Sequence, residues 1–427
     1  MLTRFLVLLG MLSFMLSGFS SRTADADALQ TTAQAIADQV SGSSNNFAPL
    51  YAESFLEAVP IQKLSDLYAS MRSQYGPVLH VVERSRGSSE QGKFEFDFKQ
   101  LAVPVTLTIE SAPTHRVVGL WFGPAVPRLQ SLQEVVARLA SLEGQVSFQV
   151  LQLDGGVVRA SLNPDKALGI GSAFKLYVLA ELAVEKVPWD RVTLLQNRYK
   201  SLPSGELQNW PDGSPLTVNT LAVEMISKSD NTAADHLLAL VGPRHVEDLL
   251  PRVGMTNPSA NIPFLSTLEL FRLKSDAALR HNYLAADTTG RRAILEKISG
   301  LPKPSVEQMK NGDVVAIDRL EWFASAADLC RLMGWFDHQN DPVVLSILAV
   351  NPGLAISADK FNYIGYKGGS EPGVLNMTWL LHARSGHHYA LSASWNDSKK
   401  DVDLQQFAGI MLAATDVIEA DDSTTRP

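Results

Sequence analysis

The chain of 427 residues contains one cysteine, Cys330, so no disulfide framework can form within it. Cys330 lies in an apolar helical pattern with Leu329, Leu332 and Met333, which predicts a buried, inert thiol. There is no excess of basic residues. The 37 Lys and Arg are outnumbered by 45 Asp and Glu, the net charge is −8, and the footprint expected of a nucleic-acid binder is missing. The histidines show no His-Glu-x-x-His or comparable ligand spacing, which argues against a metal hydrolase. His387-His388 are adjacent and read as a turn before a strand. Gly-x-Ser-x-Gly is also absent, which disfavours the nucleophile elbow of α/β-hydrolases. The expectation is therefore an enzyme with no metal and no cofactor.

Only the N-terminus carries a long apolar run. Arg4 gives it a positive start, Phe5 to Phe19 is almost wholly apolar or small, and Ala26-Asp27-Ala28 fits a small-x-small cleavage site. Residues 1–28 are thus predicted to be an export signal, and the mature protein periplasmic or secreted. A single membrane anchor is the competing reading, for which the run is short. No cysteine follows it, so a lipoprotein anchor there is excluded. An acidic, exported chain of this kind is by default a monomer acting on a small molecule.

The length suggests two domains. Residues 29–46, ending in the polar string Ser41 to Asn46, are expected to be a linker. Residues 47–125 read as a small α+β domain. Helical spacing from Leu50 to Tyr75 is broken at Pro60, then Phe94, Phe96 and Phe98 alternate with polar residues as in a half-buried strand. Val103 to Ile109 and Val117 to Phe122 read as further strands. The order suggests a cystatin-like or nuclear-transport-factor-like domain. Residues 128–418 form the second predicted domain. It opens with a helix over Leu129 to Leu142 and a hairpin, Val146 to Leu153 and Val157 to Leu162, around Asp154-Gly155-Gly156. A long helical region follows. Strands at Asn362 to Tyr366, Val374 to Ala383 and Tyr389 to Trp395 and a helix over Leu404 to Ile418 complete it. Residues 419–427 read as a polar tail.

Three strings carry chemistry: Ser172-Ala173-Phe174-Lys175, Ser229-Asp230-Asn231 and Lys367-Gly368-Gly369-Ser370. A serine hydroxyl needs a base in contact, and a lysine one helical turn later supplies one. Ser172 precedes a run of helix formers and follows Gly169 and Gly171, so it is placed at a helix N-terminus, where backbone N–H groups favour negative charge. Apolar neighbours would bury Lys175 and depress its pKa. A second Ser-x-x-Lys, Ser357 to Lys360, precedes a strand and reads as surface. Ser229-Asp230-Asn231 is by itself a good N-cap cluster. Its functional reading gives Ser229 a proton to pass to a leaving group, gives Asn231 a hold on Lys175 and on a substrate amide, and leaves Asp230 structural. Lys367 reads as the end of an aromatic-rich strand, followed by glycines that allow close approach of a substrate backbone. Lys367 would hold a substrate carboxylate. The N–H groups of Ser370 and Ser172 would form an oxyanion hole beside Gly369. Lys310-Asn311-Gly312 competes with the third string and reads as a turn.

With these motifs in this order, the chain resembles the class A β-lactamase and penicillin-binding-protein superfamily over residues 128 to 418. The extra N-terminal domain and the strings Pro263 to Thr267 and Lys367 to Gly373 resemble a narrower two-domain branch, which includes a β-lactamase-like protein of the clavulanic acid pathway. The resemblance implies a sheet flanked by a helical subdomain. It also implies a serine acyl-enzyme formed on β-lactams or related esters and amides, with Ser172, Lys175, Ser229 and Lys367 catalytic and Asn231, Gly369 and Ser370 binding substrate. A D-alanyl-D-alanine peptidase, an esterase, or a binding protein that does not turn over are the alternatives. Two departures stand out. Gly368 replaces the usual Thr or Ser, and no Glu-x-x-x-Asn string supplies a water-activating glutamate. Glu269 and Glu321 are the only tempting substitutes.

Overall fold

The computed structural model describes residues 25–419, except 112, 306 and 308–312. The apolar run at residues 5–19, the competing string at residues 310–312 and nearly all of the polar tail lie outside them. The chain divides into two units, one ending at Ala125 and the other starting at Val126.

In the first unit, helix α1 (Asp25–Ser41) precedes α2 (Glu53–Ala58) and α3 (Ile61–Tyr75). Four antiparallel strands follow: β1 (His80–Arg86), β2 (Gln91–Asp97), β3 (Leu101–Ile109) and β4 (Val117–Phe122), paired in sequence order. Helices then a sheet is the predicted order. The expected linker at residues 29–46 is a correction: most of it is helix α1. Its positions Leu29, Ala33, Ile36, Ala37 and Val40 are spaced at three and four residues and are fully buried, in one core with Phe94, Phe96 and Leu107. The polar string after it misled, because it ends the helix rather than separating domains. Strand β1 escaped the sequence reading since none of its residues is fully buried, so no alternation marks it. Two buried phenols tie the helical layer together. Tyr51 Oη lies 2.7 Å from Tyr68 Oη and donates to Gln39 Oε1 on α1 at 2.8 Å.

The second unit begins with α4 (Leu132–Ala140), β5 (Gln145–Gln152) and β6 (Val157–Leu162). The helical stretch includes α5 (Lys175–Val184), α6 (Val218–Ser227), α7 (Asn231–Val241), α8 (Thr267–Ser275) and α9 (Ala326–Gln339). Strands β7 (Phe361–Glu371), β8 (Val374–Ala383) and β9 (His388–Asn396) and helix α10 (Leu404–Val417) close the chain. The sheet runs β7-β8-β9-β5-β6, all antiparallel, so strands from both ends of the unit pair in one layer. This is the α+β, β-lactamase-like architecture that the resemblance implies. Alternation along β8 divides its side chains between two cores. Met377, Trp379 and Leu381 pack with α4 and α10, whereas Leu380 joins the core of the helical side. Cys330 on α9 is buried beneath β5 and β9, and burial pushes its thiol up to about 12. Strand β7 runs through Gly368-Gly369 to Glu371 rather than ending at Lys367, and His388 opens β9 rather than lying in a turn. No helix among the described residues is long and apolar enough to cross a membrane.

Because α1 belongs to the first core, Ile36→Ala is expected to cost about 2–5 kcal/mol. Denaturant unfolding checks this, since a linker position would change stability by no more than about 0.5 kcal/mol.

Candidate active site

The three strings converge on one point between α5, the loop before α7, and β7. Gly171 to Phe174 form a short 3₁₀ turn that runs into α5, so Lys175 follows Ser172 by three residues on the same face. Its Nζ lies 3.2 Å from Ser172 Oγ. The same amine lies 2.6 Å from the Ser229 carbonyl oxygen, 2.7 Å from Asn231 Oδ1 and 3.2 Å from Ser229 Oγ. The two shortest contacts go to oxygens that only accept. A neutral amine has two protons and one lone pair. Donating to those two acceptors leaves the lone pair for a hydroxyl, which is the arrangement a general base requires. Lys175 is fully buried. Burial first, and then the Lys367 ammonium, hold it well below the ordinary lysine range, against the opposing pull of Asp230 and Asp235. Phe174 stacks on Trp322 at 3.8 Å between ring centroids, and this aromatic slab helps exclude water from the amine.

Lys367, in the middle of β7, places its Nζ 3.1 Å from Ser229 Oγ, so that hydroxyl sits between two lysines. Burial lowers Lys367 to about 7. Ser229 is held in a left-handed backbone conformation, φ +57°, which costs a non-glycine residue about 1–3 kcal/mol. Neighbours enforce it. Ser204 Oγ donates to the Ser229 carbonyl at 2.5 Å, and Asn231 Nδ2 donates to the Leu202 carbonyl at 2.9 Å. Asp230 accepts from the N–H groups of Glu206, Leu207 and Ala233 at 2.7, 2.9 and 2.8 Å, and thereby caps α7 and pins the same loop. A side chain at Gly205 would meet the Asp230 carboxylate at 2.0 Å, so the loop can approach this closely only with glycine there.

The backbone of β7 packs directly on the turn that carries Ser172. A Cβ at Gly369 would lie 2.4 Å from Ser172 N, and one at Gly171 would lie 3.0 Å from Ser370 N. The two segments therefore approach closely at the Ser172 and Ser370 amides, the neighbourhood in which a two-donor anion site would lie. Ser172 is half-buried and Ser370 exposed. Gly368 has a local cause. A Cβ there would lie 2.1 Å from Tyr366 Oη and 2.8 Å from the Asn376 carbonyl oxygen, so the Tyr366 hydroxyl fills the space in which a side chain at 368 would start.

Neither tempting glutamate has a carboxylate free for the site. Glu269 accepts from Ser266 N and Ser266 Oγ at 2.8 and 2.9 Å in a capping box at the start of α8. Glu321 is buried and pairs with Lys274 Nζ at 2.8 Å, which also bonds Glu371 next to Ser370. Burial and the neighbouring Glu321 raise Glu371 well above the usual carboxylate range, although Lys274 opposes this. Asp235, raised to about 7 by burial, accepts from Thr267 N and Leu268 N at 2.7 and 3.0 Å. Ser357 is exposed, and Lys360 instead pairs with Asp416 at 2.7 Å, away from Ser172. Sequence reasoning missed Ser204, Tyr366 and the Lys274–Glu321–Glu371 cluster. The first had only a Pro-Ser-Gly turn to signal it, Tyr366 acts on Gly368 two residues along the same strand, and the lysine cluster depends on contacts between distant segments.

Ser229→Gly is expected to be at least about 1 kcal/mol more stable than Ser229→Ala, since only glycine removes the strain. Urea unfolding of the two variants checks it, and equal midpoints would count against a strained Ser229.

A family model described as "Beta-lactamase enzyme family" matches residues 128–311. Solved structures similar to this chain include a β-lactamase from Sphaerobacter thermophilus, with 18% identity, covering 70% of this chain and 98% of the other, at a TM-score of 0.49. A β-lactamase from Desulfarculus baarsii has 16% identity over 69% and 97% of the two chains, TM-score 0.49. PBP-A has 13% identity over 68% and 95%, TM-score 0.48. No curated protein matches the sequence.

Proposed function

From a β-lactamase-family fold around this site, we propose that the protein is an exported serine hydrolase that forms an acyl-enzyme at Ser172 on β-lactams or related esters and amides. The observation that carries the reading is the Lys175 amine, buried and in contact with both Ser172 Oγ and Ser229 Oγ at 3.2 Å. Ser172 Oγ attacks the carbonyl carbon as its proton passes to Lys175. The oxyanion that forms is met by the Ser172 and Ser370 N–H groups. When the carbon–nitrogen bond breaks, Ser229 gives its proton to the departing nitrogen and is reloaded from Lys175. The proton lost by Ser172 thus ends on the leaving group. Lys367 polarises Ser229 and attracts an anionic substrate group. Asn231 orients Lys175 and a substrate amide.

Release of the acyl group is expected to be slow. The carboxylates of Asp230, Asp235, Glu269 and Glu321 are all engaged in backbone caps or an ion pair, and none bonds Ser172 or Lys175. This favours a long-lived acyl-enzyme, as in a peptidase-like or receptor-like member of the superfamily, over fast β-lactam hydrolysis. The segment at residues 1–28 supports export, a small molecule is the partner, and a monomer suffices for the site. The first domain and the Lys367 to Gly373 string support placement in the two-domain branch.

Incubating the protein with a fluorescent penicillin and an ester panel, and recording intact mass and product, tests the reading. A covalent adduct that persists and is lost in Ser172→Ala is expected. Turnover that survives Ser172→Ala would overturn it.

The two lysines also set a pH dependence. Lys367, lowered to about 7, is charged below that pH and neutral above it. KM for a carboxylate-bearing substrate is therefore expected to rise as pH increases beyond about 7, by up to tenfold per unit, while an uncharged ester shows no such rise. Parallel KM profiles for the two substrates would exclude Lys367 as the anion holder.

A further inference from the structure

On the helical face of the sheet, away from the serine site, two histidines sit directly opposite each other on neighbouring strands. His382 on β8 pairs with His388 on β9, and their rings stack at 3.7 Å with 6° between planes. Both rings face one carboxylate from α9. His382 Nε2 lies 2.8 Å from Asp337 Oδ1, and His388 Nδ1 lies 3.0 and 3.1 Å from the two Asp337 oxygens. The three groups come from three separate elements, and their ligand atoms lie within 4.8 Å of one another.

We propose that Asp337, His382 and His388 form a binding site for a divalent transition metal of the Zn²⁺ type. Two imidazole nitrogens and a carboxylate are a donor set that suits Zn²⁺, whose bonds to N and O run at about 2.0–2.2 Å. Replacing the two N–H···O contacts to Asp337 by a shared cation requires the stacked rings to tip toward each other. Directly opposed strand residues hold their Cβ atoms about 4.5–5.5 Å apart, within reach of a common ion. The His388 side chain is 39% exposed, which gives an ion an entry path from solvent. As metal ligands, two imidazoles and one carboxylate bring a single negative charge, which the cation neutralises. Oxygen-seeking Mg²⁺ and Ca²⁺ are poorly matched to a set with two imidazoles.

The site is distinct from the catalytic one. His382 lies four residues along β8 from Thr378, the register partner of Lys367, a separation of about 13 Å at the usual rise per strand residue. A cation there ties the C-terminal part of α9 to the β8–β9 pair. It is a clamp on the fold and contributes nothing to the Ser172 reaction.

The test is Zn²⁺ titration of the full-length chain by calorimetry and by equilibrium dialysis with metal analysis, with Mg²⁺ and Ca²⁺ as controls. Wild type is expected to bind one Zn²⁺ saturably. His388→Ala and the near-isosteric Asp337→Asn are each expected to weaken binding at least about tenfold, with circular dichroism showing both folded. If wild type takes up no Zn²⁺ saturably, or if both folded variants bind it as well as wild type does, the proposal is wrong. Equal binding of Mg²⁺ would overturn the assignment of metal class.

Discussion

A buried amine is stable in a protein only if every proton it keeps has an acceptor, and Lys175 shows what that constraint produces. Its two closest partners, the Ser229 carbonyl and Asn231 Oδ1, absorb two N–H bonds and leave the nitrogen facing hydroxyls. The aromatic slab beneath it keeps water away, and Lys367 adds like charge nearby. Burial and the Lys367 charge disfavour the ammonium form, whereas the two carbonyl acceptors orient the amine. The strained serine, the pinned loop and the capped helix around this amine are the means by which two acceptors are held where a lone pair must not point.

The remainder of the site is made by close backbone approach. Gly369 and Gly171 allow two chain segments to touch near the Ser172 and Ser370 amides, and Gly205 lets a loop reach the Asp230 carboxylate. Carboxylates near this point serve architecture: they cap helices, hold loop amides or share a lysine. Under the proposed function, the arrangement is well equipped to form a covalent bond and poorly equipped to activate the water that breaks it. Gly368 and Tyr366 change places with the family pattern in a related way. A hydroxyl remains in that neighbourhood, yet it arrives on a rigid phenol packed against Trp379 at 4.9 Å instead of on a short side chain.

How far the sequence revealed this depends on the range of the interactions. Ser172 and Lys175 are one turn apart, so the sequence alone predicts their proximity. The order of strands and helices in the second unit was legible because alternation and helical spacing are strong there. Joining the hydroxyl of residue 229 to the amine of residue 367 needed the resemblance, since no local signal reports a contact across so many residues. The α1 helix shows the opposite failure. Its apolar spacing was present from Leu29 to Val40, but the polar string after it drew attention to a boundary that the core does not respect. Ser204 and the Lys274 cluster were invisible for a simpler reason: a lone serine in a turn, or a lysine on a helix, looks the same in sequence whether it faces solvent or a neighbour.

Cys330 carries one more consequence. Its sulfur lies under the sheet, with carbonyl oxygens of Gln149 and Ala390 at 3.5 and 3.6 Å, and burial disfavours the thiolate. A thiol reagent can reach it only when the packing around it opens, so the rate of alkylation measures how often that happens. Since no other sulfhydryl competes, the sequence contains its own stopwatch for the breathing of the second unit's core, with no engineered label required.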